Sequence, residues 1–279
     1  MNELIIQAPA KINLYLAIKS RRADGYHEIE TLMQKLELAD QLKLRRSAAG
    51  ISLRCPDSAL PEDETNIAYR AADLFLKKTG VSGGVEIELG KKIPIAAGLG
   101  GGSSDAAAVL KAMNIIFAAG LSQEELMEMA YPLGADVPFF VADFSVAGAT
   151  GIGEKLVPVT GAADWLVVLV NPGFAVSTKW VYNNFALTSR SNPYILGRAI
   201  IYEELCENLF NDLESVTIKR YPEIETIKNT LISCGADGVL MSGSGPTVFA
   251  VFKDITTARK CADMCGGNKN YAVFLTKPF

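Results

Sequence analysis

Residues 94–107 read PIAAGLGGGSSDAA. Glycines, two serines and an aspartate stand between an apolar strand-like end and an alanine-rich helix-like run. Glycine lets a backbone take positive φ and approach a ligand closely. A helix start leaves N–H groups unpaired and carries partial positive charge. Together they form a cradle for phosphate oxygens, to which Ser103 and Ser104 could add hydroxyls. The plain structural alternative is a flexible loop whose serine caps a helix. The stretch is not a Walker A loop, because no Gly-Lys-Ser or Gly-Lys-Thr occurs. It is not the dinucleotide GxGxxG either, since Ser103 takes the place of the third glycine.

Other residues could do chemistry. Lys11 lies early in a strand-like run beside Pro9, where a core-facing lysine is expensive and a solvent-facing one is ordinary. Asp136 lies in GADVPFF and could cap a helix beginning at Val137-Pro138. Asn13 shares a strand face with Lys11. Tyr26 and His27 follow an Asp24-Gly25 turn, and ordinary packing is their plain reading. His27 is the only histidine, so a histidine metal cluster is excluded.

Alternation at Leu14, Leu16 and Ile18 predicts a strand over 11–18. Further strands are expected at 29–38, 41–47, 51–55 and 84–90. Thr65 or Asn66 opens a helix that closes at Gly80. A helix is expected from Asp105 to Ala119, and Ser122 with Glu125 makes a capping box for the next. Residues 165–170 form a buried strand before the Asn171-Pro172-Gly173 turn. The region 177–235 is helical in composition, with Pro193 and Pro222 as breakers. The end predicts strand 237–241, the SGSGP turn, strand 247–252, helix 256–265 and strand 271–275, a split βαβ pattern.

The chain has 279 residues, 49% hydrophobic and 21% charged, with net charge −4. A sizeable core follows, and no basic excess points to nucleic acid or anionic membrane. No apolar run is long enough to span a bilayer, and the N-terminus reads as a strand rather than a signal peptide. Five cysteines, an odd number, fit a reducing cytoplasm better than a disulfide framework. Cys261 and Cys265 read as buried thiols.

PIAAGLGGGSSDAA resembles the phosphate-binding motif of the GHMP kinase superfamily. APAKINL (8–14), RADGYHE (22–28), GADVPF (134–139) and SGSGPTVF (242–249) support the resemblance in order along the whole chain. It implies an α+β, two-domain GHMP kinase fold with the active site in the cleft between the domains. An N-terminal ATP-binding domain is expected over 1–160 and a C-terminal split βαβ domain over 161–279. The extra glycines and Asp105 are similar to the branch that phosphorylates a cytidine diphosphate-linked methylerythritol in isoprenoid precursor synthesis. The resemblance makes Asp136 the base and Lys11 its catalytic partner, a cation that orients the carboxylate and attracts the transferring group. Pro94, Ala97, Gly98, Leu99, Gly100, Gly101, Gly102, Ser103 and Ser104 would hold ATP. Asn13, Tyr26, His27 and Tyr182 would hold the cytidine substrate, with Thr178 a weaker candidate. Asn66 lies near the adenine by the same resemblance. ATP implies Mg²⁺, and Ser104, Asp136 and water are the oxygens open to it. A homoserine- or mevalonate-type kinase is one rival within the superfamily, and a non-catalytic nucleotide-binding or regulatory protein on the same fold is a rival of another functional class.

Overall fold

The computed structural model describes residues 2–56, 58–160, 164–187 and 201–279. Pro193 lies outside the described residues. Two long strands open the chain, β1 (Glu3–Arg21) and β2 (His27–Ser47). The two strands expected at 29–38 and 41–47 are therefore one. The described chain divides into two compact units, and β1 and β2 contribute residues to both.

The first unit comprises residues 2–10, 39–93 and 100–143. Its elements are β3 (Ile51–Arg54), α1 (Ile67–Thr79), β4 (Gly84–Gly90), α2 (Gly101–Ile116), α3 (Gln123–Ala130) and α4 (Val137–Val141). β4 pairs antiparallel with β2, Gln41 opposite Gly90 through Ser47 opposite Gly84, and parallel with β3. Val85, Ile87 and Leu89 are buried, as their alternation requires. Asn66 caps α1 by accepting a bond from the Ala68 N–H, and Gly80 closes it in the left-handed region at φ 65°. Ser122 and Glu125 form the expected capping box of α3.

α2 begins four residues earlier than Asp105, the expected start. Gly100 is its N-cap at φ 70°, ψ 13°, and the Ser104 N–H already bonds the Gly100 carbonyl at 2.9 Å. Two glycines in a first turn are poor helix formers. Packing overrides that preference: every residue from Ser104 to Leu110 is buried. A helix buried on all sides is held by its neighbours rather than by propensity, and α2 packs against α1, α3 and α4.

The second unit comprises residues 11–38, 94–99 and 144–279. Its further elements are β5 (Val146–Thr150), β6 (Lys155–Pro158), β7 (Leu166–Asn171), α5 (Thr178–Asn184), α6 (Tyr202–Glu207), β8 (Phe210–Asn211), α7 (Glu214–Arg220), α8 (Glu223–Ser233), β9 (Gly238–Met241), β10 (Val248–Phe252), α9 (Ile255–Gly266) and β11 (Ala272–Thr276). β5 pairs with β2 and β6, and β1 pairs with β8 in parallel. The antiparallel sheet β11-β7-β10-β9 has the split βαβ order. Its core joins Val168, Val170, Val248 and Phe252 to Ile224 and Ile227 of α8 and Ala258, Cys261 and Cys265 of α9. All five cysteines are free thiols.

Candidate functional site

In the first unit, the start of α2 collects Gly100 to Ser104 of the predicted phosphate ligands. Gly101, Gly102 and Ser103 form its first turn, whose N–H groups precede the first intrahelical donor, the Ser104 N–H. Gly102 is exposed and Ser103 half-buried. The Ser104 hydroxyl is buried and has no hydrogen-bond partner among the described residues. Such an orphaned oxygen costs about 1–3 kcal/mol in an isolated protein, which an incoming cation or donor would offset.

Asp136 is the N-cap of the five-residue helix α4, and Pro138 lies in that helix's first turn. The carboxylate does not cap it, contrary to the structural role its position suggested. Instead Asp136 takes helical angles itself, and the Val137 N–H bonds the Gly134 carbonyl at 3.1 Å. Gly134 lies close to α2: a Cβ there would be 3.9 Å from Ser103 Oγ. Local backbone thus places the loop carrying Asp136 beside the first turn of α2, within one unit.

The same turn has an underpinning that sequence inspection missed. Lys91, just after β4, donates to Asp40 Oδ2 and, at 2.8 Å, to Asp105 Oδ2. Both acids are buried. Burial pushes the Asp105 carboxyl up to about 7; Lys91 opposes this and the Asp40 charge adds to it. Burial alone would lower the Lys91 ammonium, but Asp105 and Asp40 outweigh it and raise the pKa. Asp105 stood out in the sequence only as a motif variant. Asp40 lies more than fifty residues upstream of Lys91, with nothing local to link them.

In the second unit, Lys11 and Asn13 share a strand face as expected, but Lys11 is buried rather than solvent-facing. Its ammonium donates to Asn13 Oδ1 at 2.6 Å. Asn13 Nδ2 donates to Thr31 Oγ1 at 2.9 Å, and Thr31 donates to the Tyr15 carbonyl at 2.6 Å. The Lys11 N–H bonds the Leu99 carbonyl at 2.9 Å. The chain 94–99 is thereby fixed to β1, with Ala97 and Leu99 buried and Pro94 half-buried.

The SGSGPT turn packs on the same stretch. Ser242 Oγ donates to the Gly98 carbonyl at 2.9 Å, and the Thr247 N–H bonds the Ala97 carbonyl. Gly98, at φ 77°, cannot be anything larger: a Cβ would lie 2.1 Å from the Ser242 carbonyl oxygen. Asn211 donates to the Met241 and Gly243 carbonyls, both at 2.7 Å. Thr178 and Ser244 hydroxyls share a 2.8 Å bond. Asn211 and Thr31 gave no signal in the sequence, because each works through residues far away along the chain.

Of the expected pyrimidine residues, the structure brings His27 and Tyr182 together, ring centroids 5.4 Å apart at 41°. Tyr182 is half-buried on α5, which Ser177 caps by accepting from the Trp180 N–H. The Arg220 guanidinium lies 4.6 Å from the Trp180 ring centre on the same helix. Burial, then the Arg21 charge, lowers the His27 pKa, so the ring is neutral at neutral pH. Tyr26 is 60% exposed.

Residues 66–143 match the GHMP kinases N terminal domain and residues 198–270 the GHMP kinases C terminal domain. The chain is 46% identical over 276 residues to 4-diphosphocytidyl-2-C-methyl-D-erythritol kinase of Syntrophus aciditrophicus, spanning 98% of this chain and 99% of the relative. It is 47% identical over 273 residues to the kinase of the same name from Syntrophotalea carbinolica, covering 97% of each. A crystal structure of 4-(cytidine 5'-diphospho)-2C-methyl-D-erythritol kinase superposes with TM-score 0.82 at 36% identity, covering 99% of both chains. Full-length likeness at this level carries the chemistry of the class as well as its fold: the chain belongs to the 4-diphosphocytidyl-2-C-methyl-D-erythritol kinase family, ATP-dependent small-molecule kinases of the GHMP superfamily.

Proposed function

We propose that this chain transfers the γ-phosphoryl group of ATP to the 2-hydroxyl of 4-diphosphocytidyl-2-C-methyl-D-erythritol, giving the 2-phosphate and ADP in the non-mevalonate route to isoprenoid precursors. The observation that carries this is the first turn of α2, whose N–H groups have no acceptor within the helix and whose buried Ser104 hydroxyl has no partner among the described residues. Asp136 accepts the proton of the attacking hydroxyl. The hydroxyl oxygen bonds to the γ-phosphorus, the bond to the β,γ-bridging oxygen breaks, and ADP leaves. Lys11, oriented by Asn13, supplies positive charge toward the transferring group. The residues 94–104 hold the triphosphate by backbone donors.

The donor set fits Mg²⁺, a hard cation that takes oxygen ligands and keeps several waters. Ser104 would hold it, with phosphate oxygens and water completing the shell. Bound there, the ion would neutralise β- and γ-phosphate charge. His27 and Tyr182 grip the pyrimidine, His27 through its polar edge and Tyr182 through its ring face; Tyr26 and Asn13 add contacts to the acceptor. The division into an ATP-binding domain over 1–160 and a second over 161–279 goes with this reading. So does a cytoplasmic setting, which the five free thiols support. No described helix is long and apolar enough to cross a membrane.

A coupled ADP-release assay with ATP and Mg²⁺ tests the proposal against 4-diphosphocytidyl-methylerythritol, mevalonate and homoserine in parallel. Turnover with the cytidine compound alone is expected. Turnover with either other acceptor, or ATP binding with no turnover on any, would overturn it.

A further inference from the structure

Lys91 occupies a place that an ordinary structural lysine does not. Its ammonium is enclosed by Asp40 and Asp105, and its side chain is only 7% exposed. It also touches the start of α2, since a Cβ at Gly101 would lie 3.3 Å from Nζ and 3.1 Å from Ile93 Cγ2. Gly101 opens the helix and Asp105 follows one turn later, so the lysine meets that turn at both ends.

Asp40 ties down the other side. It directly precedes Gln41, which is paired with Gly90, the last residue of β4. Its Oδ1 accepts the Lys92 and Ile93 N–H groups at 2.6 and 2.8 Å. One carboxylate thus catches the backbone leaving β4, and the lysine between the acids carries that anchor to α2. Ile93, ahead of the glycine stretch, and Gly101, within it, both meet one buried cluster.

Stability does not explain such a cluster. Two buried acids around one lysine bear heavy desolvation, and apolar packing in the same volume is often neutral or better. What ionic hydrogen bonds supply instead is direction and distance.

We propose that Lys91, Asp40 and Asp105 form a positioning device for nucleotide binding, setting the angle and depth of the first turn of α2 and so the aim of its N–H groups at the triphosphate. This rests on the reading of that turn as the triphosphate cradle. Lys91, Asp40 and Asp105 are positioning residues: they act through the helix and touch no phosphate.

Asp105→Ala is the leading test, because it leaves Lys91 and Asp40 as a balanced pair. ATP binding is titrated calorimetrically without Mg²⁺, and KM for ATP and for the acceptor are measured separately. ATP affinity should fall about ten- to a hundredfold, the scale of a displacement near one ångström, with acceptor KM within about twofold. Gly101→Ala, which crowds Lys91 without altering charge, should give the same split. Lys91→Arg, able to bridge both carboxylates, should keep ATP affinity near the parent value. Thermal melts establish that each variant is folded. Folded Asp105→Ala and Gly101→Ala variants that bind ATP like the parent would sink the proposal, as would equal losses toward both substrates. A parent protein that binds no ATP would instead bring down the cradle itself, and this inference with it.

Discussion

Asp136 and His27 carry the two residue-scale expectations. If Asp136 accepts the proton, Asp136→Asn should lower kcat by about 10²- to 10⁴-fold, with ATP affinity measured by titration unchanged. A loss confined to a few fold would remove Asp136 from the base role. His27 has a pKa lowered by burial and by Arg21, so the unfolded chain binds a proton more readily than the folded one. Its contribution to stability is complete above the unfolded value of about 6.5 and is lost as pH falls through the lower folded value. Urea melts at pH 7.5 and 5.5 should show a larger acid loss in the parent than in His27→Gln. Equal losses in both would disconnect the ring from the acid response.

At the scale of elements, α5 and the turn at Gly98 can be separated experimentally. α5 presents Tyr182 to His27 and is braced by Arg220 over Trp180. Tyr182→Ala should raise the acceptor KM while leaving that for ATP in place, as initial rates against each substrate would reveal. Gly98→Ala should destabilise by more than the roughly 1–2 kcal/mol of a left-handed alanine, because its Cβ collides with the Ser242 carbonyl. A melting temperature equal to the parent's would contradict that geometry. Ser122→Ala serves as the contrast: loss of the capping box on α3 should cost about 1 kcal/mol and leave both KM values alone.

For the whole molecule, legibility in the sequence followed the range of the interaction. Strand β4 and the caps of α1 and α3 were plain, because alternation, Asn66, Gly80 and the Ser122–Glu125 pair act within a few residues. The cluster of glycines at 98–102 pointed to the cradle proposed for phosphate, yet it masked the true start of α2, where burial outweighed poor propensity. Lys11, Asp136, His27 and Tyr182 entered the proposed site through motif resemblance. Their supports did not: Thr31 beneath Asn13, Asn211 beneath the SGSGPT turn, and Asp40 beside Lys91 are joined only by folding. Side chains that touch a ligand leave motifs, whereas those that hold such side chains leave isolated polar residues in unrelated stretches.

The pairing of β1 with β8 sets a timetable for synthesis. Tyr15 and Leu16 meet Phe210 and Asn211, and Asp212 accepts the Ile18 N–H at 2.7 Å. The closing residues reach farther back still, with Phe279 bonded to the Lys35 carbonyl. A ribosome must therefore add nearly two hundred residues after β1 before the Tyr15–Ile18 stretch of that strand's edge is covered. Throughout that interval the nascent edge can recruit the wrong strand. The 1–160 fragment is frozen at that stage, and gel filtration should find it associated rather than monomeric. A cell making this enzyme quickly thus depends on whatever shields a waiting strand until β8 has been made.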